Sequence, residues 1–408
     1  VTASKLRVGA VVITPPTFKA SGGVSAAIQL TERIAKRIDS PLLLMAEDNG
    51  DAVENGLRIV RQKATNSLLP LRSALPRQAV TLAWRADIKP WLRQEQFDVV
   101  HFHNPHPPGA LKAAAQACKD LKIPYVISTH GFIEFNEFSQ GFGAPAWQKP
   151  LLELLVRRPV VHVAQNAARV LMLSPQEEPV LSSMGAHPRN LRVVPNGVDP
   201  YFTIPVAEAG RQRLVARFNL PAGRPLMLYV GNHTANKGLD VLLRALPLMR
   251  EKGVAVVAGA IRSRKEHEQL LADNGMPAGS EKFLFTDFIT REELRALYQT
   301  VDLFVFPSRA DTLPLVILEA MASGLPVVST LVGGIPFEVS ADTGILMKPG
   351  DPATLASALD RLCADESLRK AMGYAGRARV TELFSWEKSA DDAVAIYEDV
   401  VSEHKAAH

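Results

Sequence analysis

Residues 303–330 read LFVFPSRADTLPLVILEAMASGLPVVST, and this stretch decides the fold. Three apolar runs follow one another with hardly a residue to spare. LFVF is short, aromatic and β-branched, the mark of a strand covered on both faces. Residues 313–323 are long enough for a helix; Pro314 is tolerated in a first turn and Gly324 is a natural stop. PVVST reads as the next strand. Two apolar strands joined by a helix form a parallel unit. Two carboxylates stand in it: Asp311 in the loop before the helix, and Glu319 eight positions on, inside it. Taken alone, they fit a loop end and a chance ion pair as well as they fit a site.

The same alternation runs outward in both directions. LRVGAVVIT (6–14), a helix from Val24, PLLLMA, FDVVHFH, a helix at GALKAAAQACKDL, IPYVIST, RVLMLS and LRVVPNG make a first series. PLMLYVG, a helix at GLDVLLRALPLMR, VAVVAG, KFLFTDF, a helix at REELRALY and the quoted stretch make a second. The expected fold is therefore α/β, with two doubly wound parallel-sheet (Rossmann-like) domains facing across a cleft. Ligands of such sheets bind beyond the carboxyl ends of the strands. Pro, Asn and Gly cluster in VPNGVDPYF (194–202), which divides the chain into 1–199, 200–384 and an amphipathic helix within 385–408.

At 408 residues, with 47% apolar and 22% charged side chains, the chain reads as a globular enzyme of two cores rather than a disordered or fibrous one. A net charge of +4 makes no case for nucleic acid. Two cysteines far apart, Cys118 and Cys363, imply neither a disulfide framework nor a zinc cluster, and fit a cytoplasmic setting. The opening VTASKLRVGAVVITPP has too short an apolar run for a signal peptide, and no run of 18 uncharged apolar residues occurs. Between Arg58 and Arg93 lie eight basic residues and one acid, Asp87, interleaved with leucines, Trp84 and Trp91. That mixture suits the anionic inner face of a membrane, and a basic acceptor-binding loop equally.

Several small motifs stand where chemistry is expected. Gly22-Gly23 follows the first strand and opens a helix, so backbone N–H groups can meet phosphate there, or simply turn. Lys237-Gly238 repeats the logic in the second series; its lysine reaches a phosphate or solvent. His101, His103 and His106 crowd one strand end without a nearby acid or cysteine, which favours core or cleft-lining histidines over a metal site. His130 stands at the carboxyl end of IPYVIST, placed for substrate or for the core. Glu319 lies roughly 7–8 Å along the helix from Pro314. A diphosphate on the free N–H groups of Leu315 and Val316 would sit in the field of the helix dipole, flanked by the two acids. Carboxylates accept well from sugar hydroxyls, so the arrangement reads as a nucleotide-sugar clamp.

DTLPLVILEAMASGLPVVSTLVGG resembles the signature of glycosyltransferase family 4, retaining enzymes of GT-B fold, in which two acids eight apart precede a PVV strand and a GG turn. The likeness extends over the Gly22-Gly23 loop, DVVHFHNP, THG, VPNGVD, Lys237-Gly238, REEL and the final SWE helix. It implies a hexosyltransferase of the polysaccharide-assembly type, using a nucleotide-diphosphate sugar and a glycan, lipid-linked or small-molecule acceptor, without metal or other cofactor. Carried over by residue, Glu319 would bind ribose, Asp311 the donor hexose, Lys237 and the Gly23 N–H the diphosphate, His130 the sugar beside the reacting carbon, and the Ile289 backbone the base. Gly333 and Gly334 would shape the turn beside the site, and the last helix would cross back to the first domain. Three departures stand out: Asp311 where Glu is usual, Asn232 where an arginine is usual, and Arg291 where guanine-reading members carry Asp. The second leaves room for Arg262 or Arg309 to substitute; the third favours a UDP-sugar over a GDP-sugar. A non-catalytic sugar-nucleotide-binding subunit, or a GT-B phosphorylase or epimerase, fits the same motifs.

Overall fold

The computed structural model describes residues 6–17, 22–75, 77–104, 106–130, 149–259, 264–276 and 280–407. The chain forms two compact units, Val1–Gly197 with Trp386–His408, and Val198–Ser385.

The first unit is built on eight strands: β1 (Val8–Val12), β2 (Leu42–Ala46), β3 (Gly50–Glu54), β4 (Leu57–Lys63), β5 (Val99–His103), β6 (Tyr125–Ser128), β7 (Arg169–Met172) and β8 (Leu191–Val193). Their order is β8-β7-β6-β5-β1-β2-β4-β3, parallel except for β3 against β4. The chain winds outward both ways from β1, so the switch point lies between β1 and β5, where Val12 pairs with His103. Helix α1 (Gly22–Ala35) follows the first of these strands.

In the second unit, β9 (Leu226–Val230), β10 (Val254–Ala258), β11 (Phe283–Phe285), β12 (Leu303–Phe306), β13 (Val327–Thr330) and β14 (Gly344–Met347) form an all-parallel sheet ordered β11-β10-β9-β12-β13-β14. Its switch point lies between β9 and β12. Four helices of this unit bear on the site: α2 (Leu239–Ala245), α3 (Arg291–Tyr298), α4 (Leu315–Ala322) and α5 (Ile335–Glu338). Helix α4 begins two residues later than the pattern suggests. Pro314 takes an extended ψ of 114° as its N-cap instead of entering the first turn. Helix α2 is cut short by Pro247, which turns its continuation into a single 3-10 turn.

The last helix, α6 (Trp386–Ala407), packs in the first unit against α1 and β5. Its Tyr397 is fully buried and meets His101 through a 2.7 Å hydrogen bond. Ser389 donates to the Pro195 carbonyl at 2.8 Å, and Arg37 grips Glu387 and Asp391 at the other edge.

The stretch from Arg58 to Arg93 does not present the basic and aromatic face that its composition suggests. Trp84 and Trp91 are each 7% exposed and belong to the first unit's core. Residues 57–63 are strand β4, paired to β3 through an Asn55-Gly56 turn with both φ positive; Leu57 and Ile59 are buried on one face, and Val60 packs against the core on the other. Several charges of the stretch meet acids from elsewhere: Arg58 pairs with Asp51 and Glu95, Arg61 with Glu54, and Lys89 with Asp120. Among the described residues, Leu69, Leu71, Arg72 and Arg93 stay exposed. Among the described residues, no helix is long and apolar enough to cross a membrane.

Candidate active site

Lys237 leaves the loop after β9, and Asp311 leaves the loop after β12; these loops flank the switch point of the second unit. The two side chains meet there, Lys237 Nζ lying 2.5 Å from Asp311 Oδ2. Asp311 is buried and Lys237 is largely so, its ammonium 5.9 Å from the centre of the Phe306 ring. The lysine read as reaching a phosphate or solvent is thus a fixed charge inside the site.

Local sequence explains why the loop takes this path. Gly238 has φ +73°, and a Cβ there would lie 1.9 Å from the Pro307 carbonyl oxygen. Only glycine lets the two loops touch. Arg309 completes the seam with a two-pronged pair to Asp240 at 2.6 and 2.7 Å and a bond from its Nη1 to the Ala235 carbonyl. Arg309 is thus tied into this seam, while Asn232, where an arginine is usual, is exposed. Arg262, the other candidate for that role, lies outside the described residues. We expect Gly238→Ala to lower unfolding stability by about 2–4 kcal/mol, combining a left-handed alanine with overpacking. Denaturant unfolding checks this; a wild-type midpoint would mean that the seam opens freely.

Helix α4 starts beside the pair without a side-chain cap. The Leu315 and Val316 N–H groups have no partner among the described residues and are free for an anion. The Thr312 carbonyl accepts from the Gly334 N–H at 2.7 Å, which ties the acid loop to the GG turn. Glu319 lies further along α4, half-buried. Tyr298 of α3 donates to its Oε2 at 3.1 Å. Burial lifts this carboxyl to about 7, against the hydrogen bond from Tyr298 and the charge of Arg291, with Asp199 pushing upward again. Arg291 itself pairs with Asp199 and stacks 4.6 Å over Tyr201, so this residue is committed to packing its own corner. Ile289 immediately precedes the Thr290–Glu293 capping box of α3, and its backbone makes no hydrogen bond to another described residue.

One acid here went unread in the sequence. Glu338, at the end of α5, is fully buried and neither carboxyl oxygen has a hydrogen-bond partner among the described residues. Burial, reinforced by the charge of Asp311, holds its pKa well above the ordinary carboxyl range. The unfolded chain releases this proton in the ordinary range while the folded chain retains it. The residue's contribution is thus fully present below the unfolded pKa, near 4.3, and declines as pH rises through neutrality. Glu338→Gln should melt roughly 3 °C or more above wild type at pH 8, with the gap closing toward pH 4. Parallel melting curves across that range would exclude a buried acid.

In the first unit, Gly23 and Asn104 meet at the switch point: a Cβ on Gly23 would lie 2.5 Å from Asn104 Oδ1. His103 is fully buried with neither ring nitrogen partnered among the described residues, tilted against His101 at 3.9 Å and stacked on His130 at 5.6 Å. His101 is occupied by Tyr397 and Ser128, both at 2.7 Å. Burial pushes His101 down to about 3 and His130 to about 4, so both rings are neutral at pH 7. His130 can then offer a hydrogen bond but no positive charge. No group of three metal-ligating side chains is found among the described residues, and the segment after His130, from Gly131 to Gln148, lies outside them.

The sequence matches two family models: Glycosyltransferase Family 4 over residues 20–202 and Glycosyl transferases group 1 over residues 224–365. It is 30% identical to the D-inositol 3-phosphate glycosyltransferase of Xylanimonas cellulosilytica over 322 residues, 77% of this chain and 70% of that one. It is also 30% identical to an uncharacterized glycosyltransferase of Methanocaldococcus jannaschii, MJ1607, over 54% of this chain and 57% of that protein. Among solved structures, HepE of Anabaena in complex with UDP superposes with a TM-score of 0.75 at 18% identity, covering 97% of this chain and all of its own. A second HepE structure holds UDP-glucose. With two parallel-sheet units of this kind and these matches along its length, the chain belongs to the family 4, group 1 glycosyltransferases of GT-B fold.

Proposed function

We propose that this chain is a retaining hexosyltransferase that takes a nucleotide-diphosphate sugar, UDP-linked ahead of GDP-linked, and glycosylates a glycan, lipid-linked or small-molecule acceptor. The observation that carries the reading is the Lys237–Asp311 pair beside the uncapped start of α4 at the sheet's switch point. The donor's diphosphate lies against Lys237 and the Leu315 and Val316 N–H groups. Asp311 takes hexose hydroxyls, Glu319 the ribose, and the unpartnered Ile289 backbone the base. The bond from C1 to the diphosphate oxygen breaks, the bond from C1 to the acceptor oxygen forms on the same face, and the acceptor's proton leaves with the departing phosphate. Fixed charges and N–H groups aimed at that phosphate supply the main catalytic term, and no metal or other cofactor is called for. The names of the relatives and the UDP and UDP-glucose seen in HepE support the donor class. Residues 1–199 would hold the acceptor.

The test is to incubate purified protein with UDP- and GDP-sugars, following both the thermal shift and the release of nucleoside diphosphate. Stabilisation with turnover supports the reading. Stabilisation without turnover, even when acceptors are added, would assign a sugar-nucleotide-binding subunit instead. No response to any donor would sink both.

A further inference from the structure

Tyr298 ends helix α3, and its ring is fully buried. The ring lies edge-on to Phe202 at 5.7 Å and tilted against Phe304 at 5.9 Å, so the phenol cannot swing away. Its hydroxyl carries one hydrogen and faces two acceptors, Glu319 Oε2 at 3.1 Å and the Val316 carbonyl at 3.3 Å. While Glu319 is ionised, the nearer and charged oxygen takes that hydrogen. Among the described residues, the hydrogen bond that Glu319 accepts goes to Oε2, not Oε1.

We propose that Tyr298 is a positioning residue for donor binding, whose hydroxyl holds Oε2 and so leaves Oε1 of Glu319 set to accept from the ribose. The proposal rests on the reading of Glu319 as a ribose ligand and goes beyond it. If Glu319 takes up a proton, the same hydroxyl accepts from the carboxylic acid and turns its own hydrogen to the Val316 carbonyl. Both protonation states are therefore accommodated, but only the ionised one offers the ribose a charged acceptor. The other charged groups facing this carboxyl are Arg291, from α3, and Asp199, which precedes the turn at 200–203; they are paired with each other. The helix Glu366–Leu383, also packed on α4, brings Arg377, which is taken up by the Ala322 carbonyl. None of these is hydrogen-bonded to the Tyr298 hydroxyl.

The experiment is calorimetric titration with UDP and with GDP from pH 6 to pH 9, on wild type, Tyr298→Phe and Glu319→Gln. The free phosphate of either probe titrates in this range too, so the quantity read is affinity relative to Glu319→Gln, in which only the probe titrates. For wild type this ratio should rise through a midpoint near 7. In Tyr298→Phe the midpoint should move up by about one pH unit, since a donor to the charged form has gone. Affinity should then fall about fivefold at pH 7 and close to tenfold at pH 6, yet match wild type at pH 9. An equal loss at every pH would mean that Tyr298 only packs, and an unmoved midpoint would mean that its hydroxyl does not act on Glu319; either overturns the proposal. Wild-type affinity in Glu319→Gln for both probes overturns the ribose reading itself, and the proposal with it.

Discussion

Lys237→Ala is expected to lower turnover by about 10²–10³-fold, the cost typical of removing one donor to a charge that develops in the transition state. The size follows from how little else stands nearby. Lys237 and Arg309 are the two Lys or Arg residues of the loops at 231–238 and 307–314, and Arg309 is committed to Asp240. Asn232 brings no charge. The ammonium is also held in place before any donor arrives, by the ion pair with Asp311 and by the Gly238 seam beneath it. A preorganised charge is worth more than a mobile one because nothing has to be reordered as the phosphate departs. The substitution leaves the Asp311 carboxylate buried without its ammonium, so the variant should also melt lower. Rates are therefore compared well below both melting points. Lys237→Arg separates charge from shape: a planar guanidinium keeps the charge but not the compact geometry. A loss under fivefold in Lys237→Ala would show that another cation carries the diphosphate.

The strands and most helices were legible because their signals are local. LFVF, VAVVA and VVHFH are apolar runs with turn residues at each end, and a parallel sheet needs nothing more to be recognised. The Asn55-Gly56 hairpin was equally local, yet the charges of LRIVRQK masked its alternation. The burial of the tryptophans along 58–93 was hidden for a different reason. Trp91 packs on Phe97, and Arg58 meets Glu95, 37 residues away, so neither burial nor charge balance could be read from the segment itself. The same holds within the site. The sequence placed Lys237 and Asp311 each at a loop near phosphate, but their contact spans 74 positions and follows only from the order of β9 and β12 in the sheet. Tyr298 ends REELRALY, and nothing along the chain points its hydroxyl at Glu319. Glu338 carried a faint signal, an acid lodged between Phe337 and Val339 just after the GG turn.

That long-range pair also sharpens what the two acids of the opening stretch should do. Glu319 grips a part of the donor remote from the bond being broken, so its hydrogen bonds exist in the ground and transition states alike. Glu319→Ala should weaken binding of the free nucleoside diphosphate and of the donor together, by roughly 1.5–3 kcal/mol for hydrogen bonds to a charged group. Asp311 behaves differently because its carboxylate already holds the ammonium that the diphosphate needs, at 2.5 Å. Removing it takes away an anion that competes for Lys237, so Asp311→Ala should bind nucleoside diphosphate as well as wild type, or more tightly. Turnover should nevertheless fall about 10²-fold, since the hexose loses its partner and the lysine loses its anchor, both of which count in the transition state. Asp311→Asn keeps the shape without the charge and should share the gain in affinity. Asp311→Glu keeps the charge but adds a methylene, and the ion pair leaves no room for it without moving Lys237; transfer should fall while affinity stays near wild type. Calorimetry with the nucleoside diphosphate on these variants, set beside their turnover, separates the roles. If Asp311→Ala weakens that binding as much as Glu319→Ala does, the acid contacts the nucleotide rather than the sugar, and the division of labour between the two carboxylates is wrong.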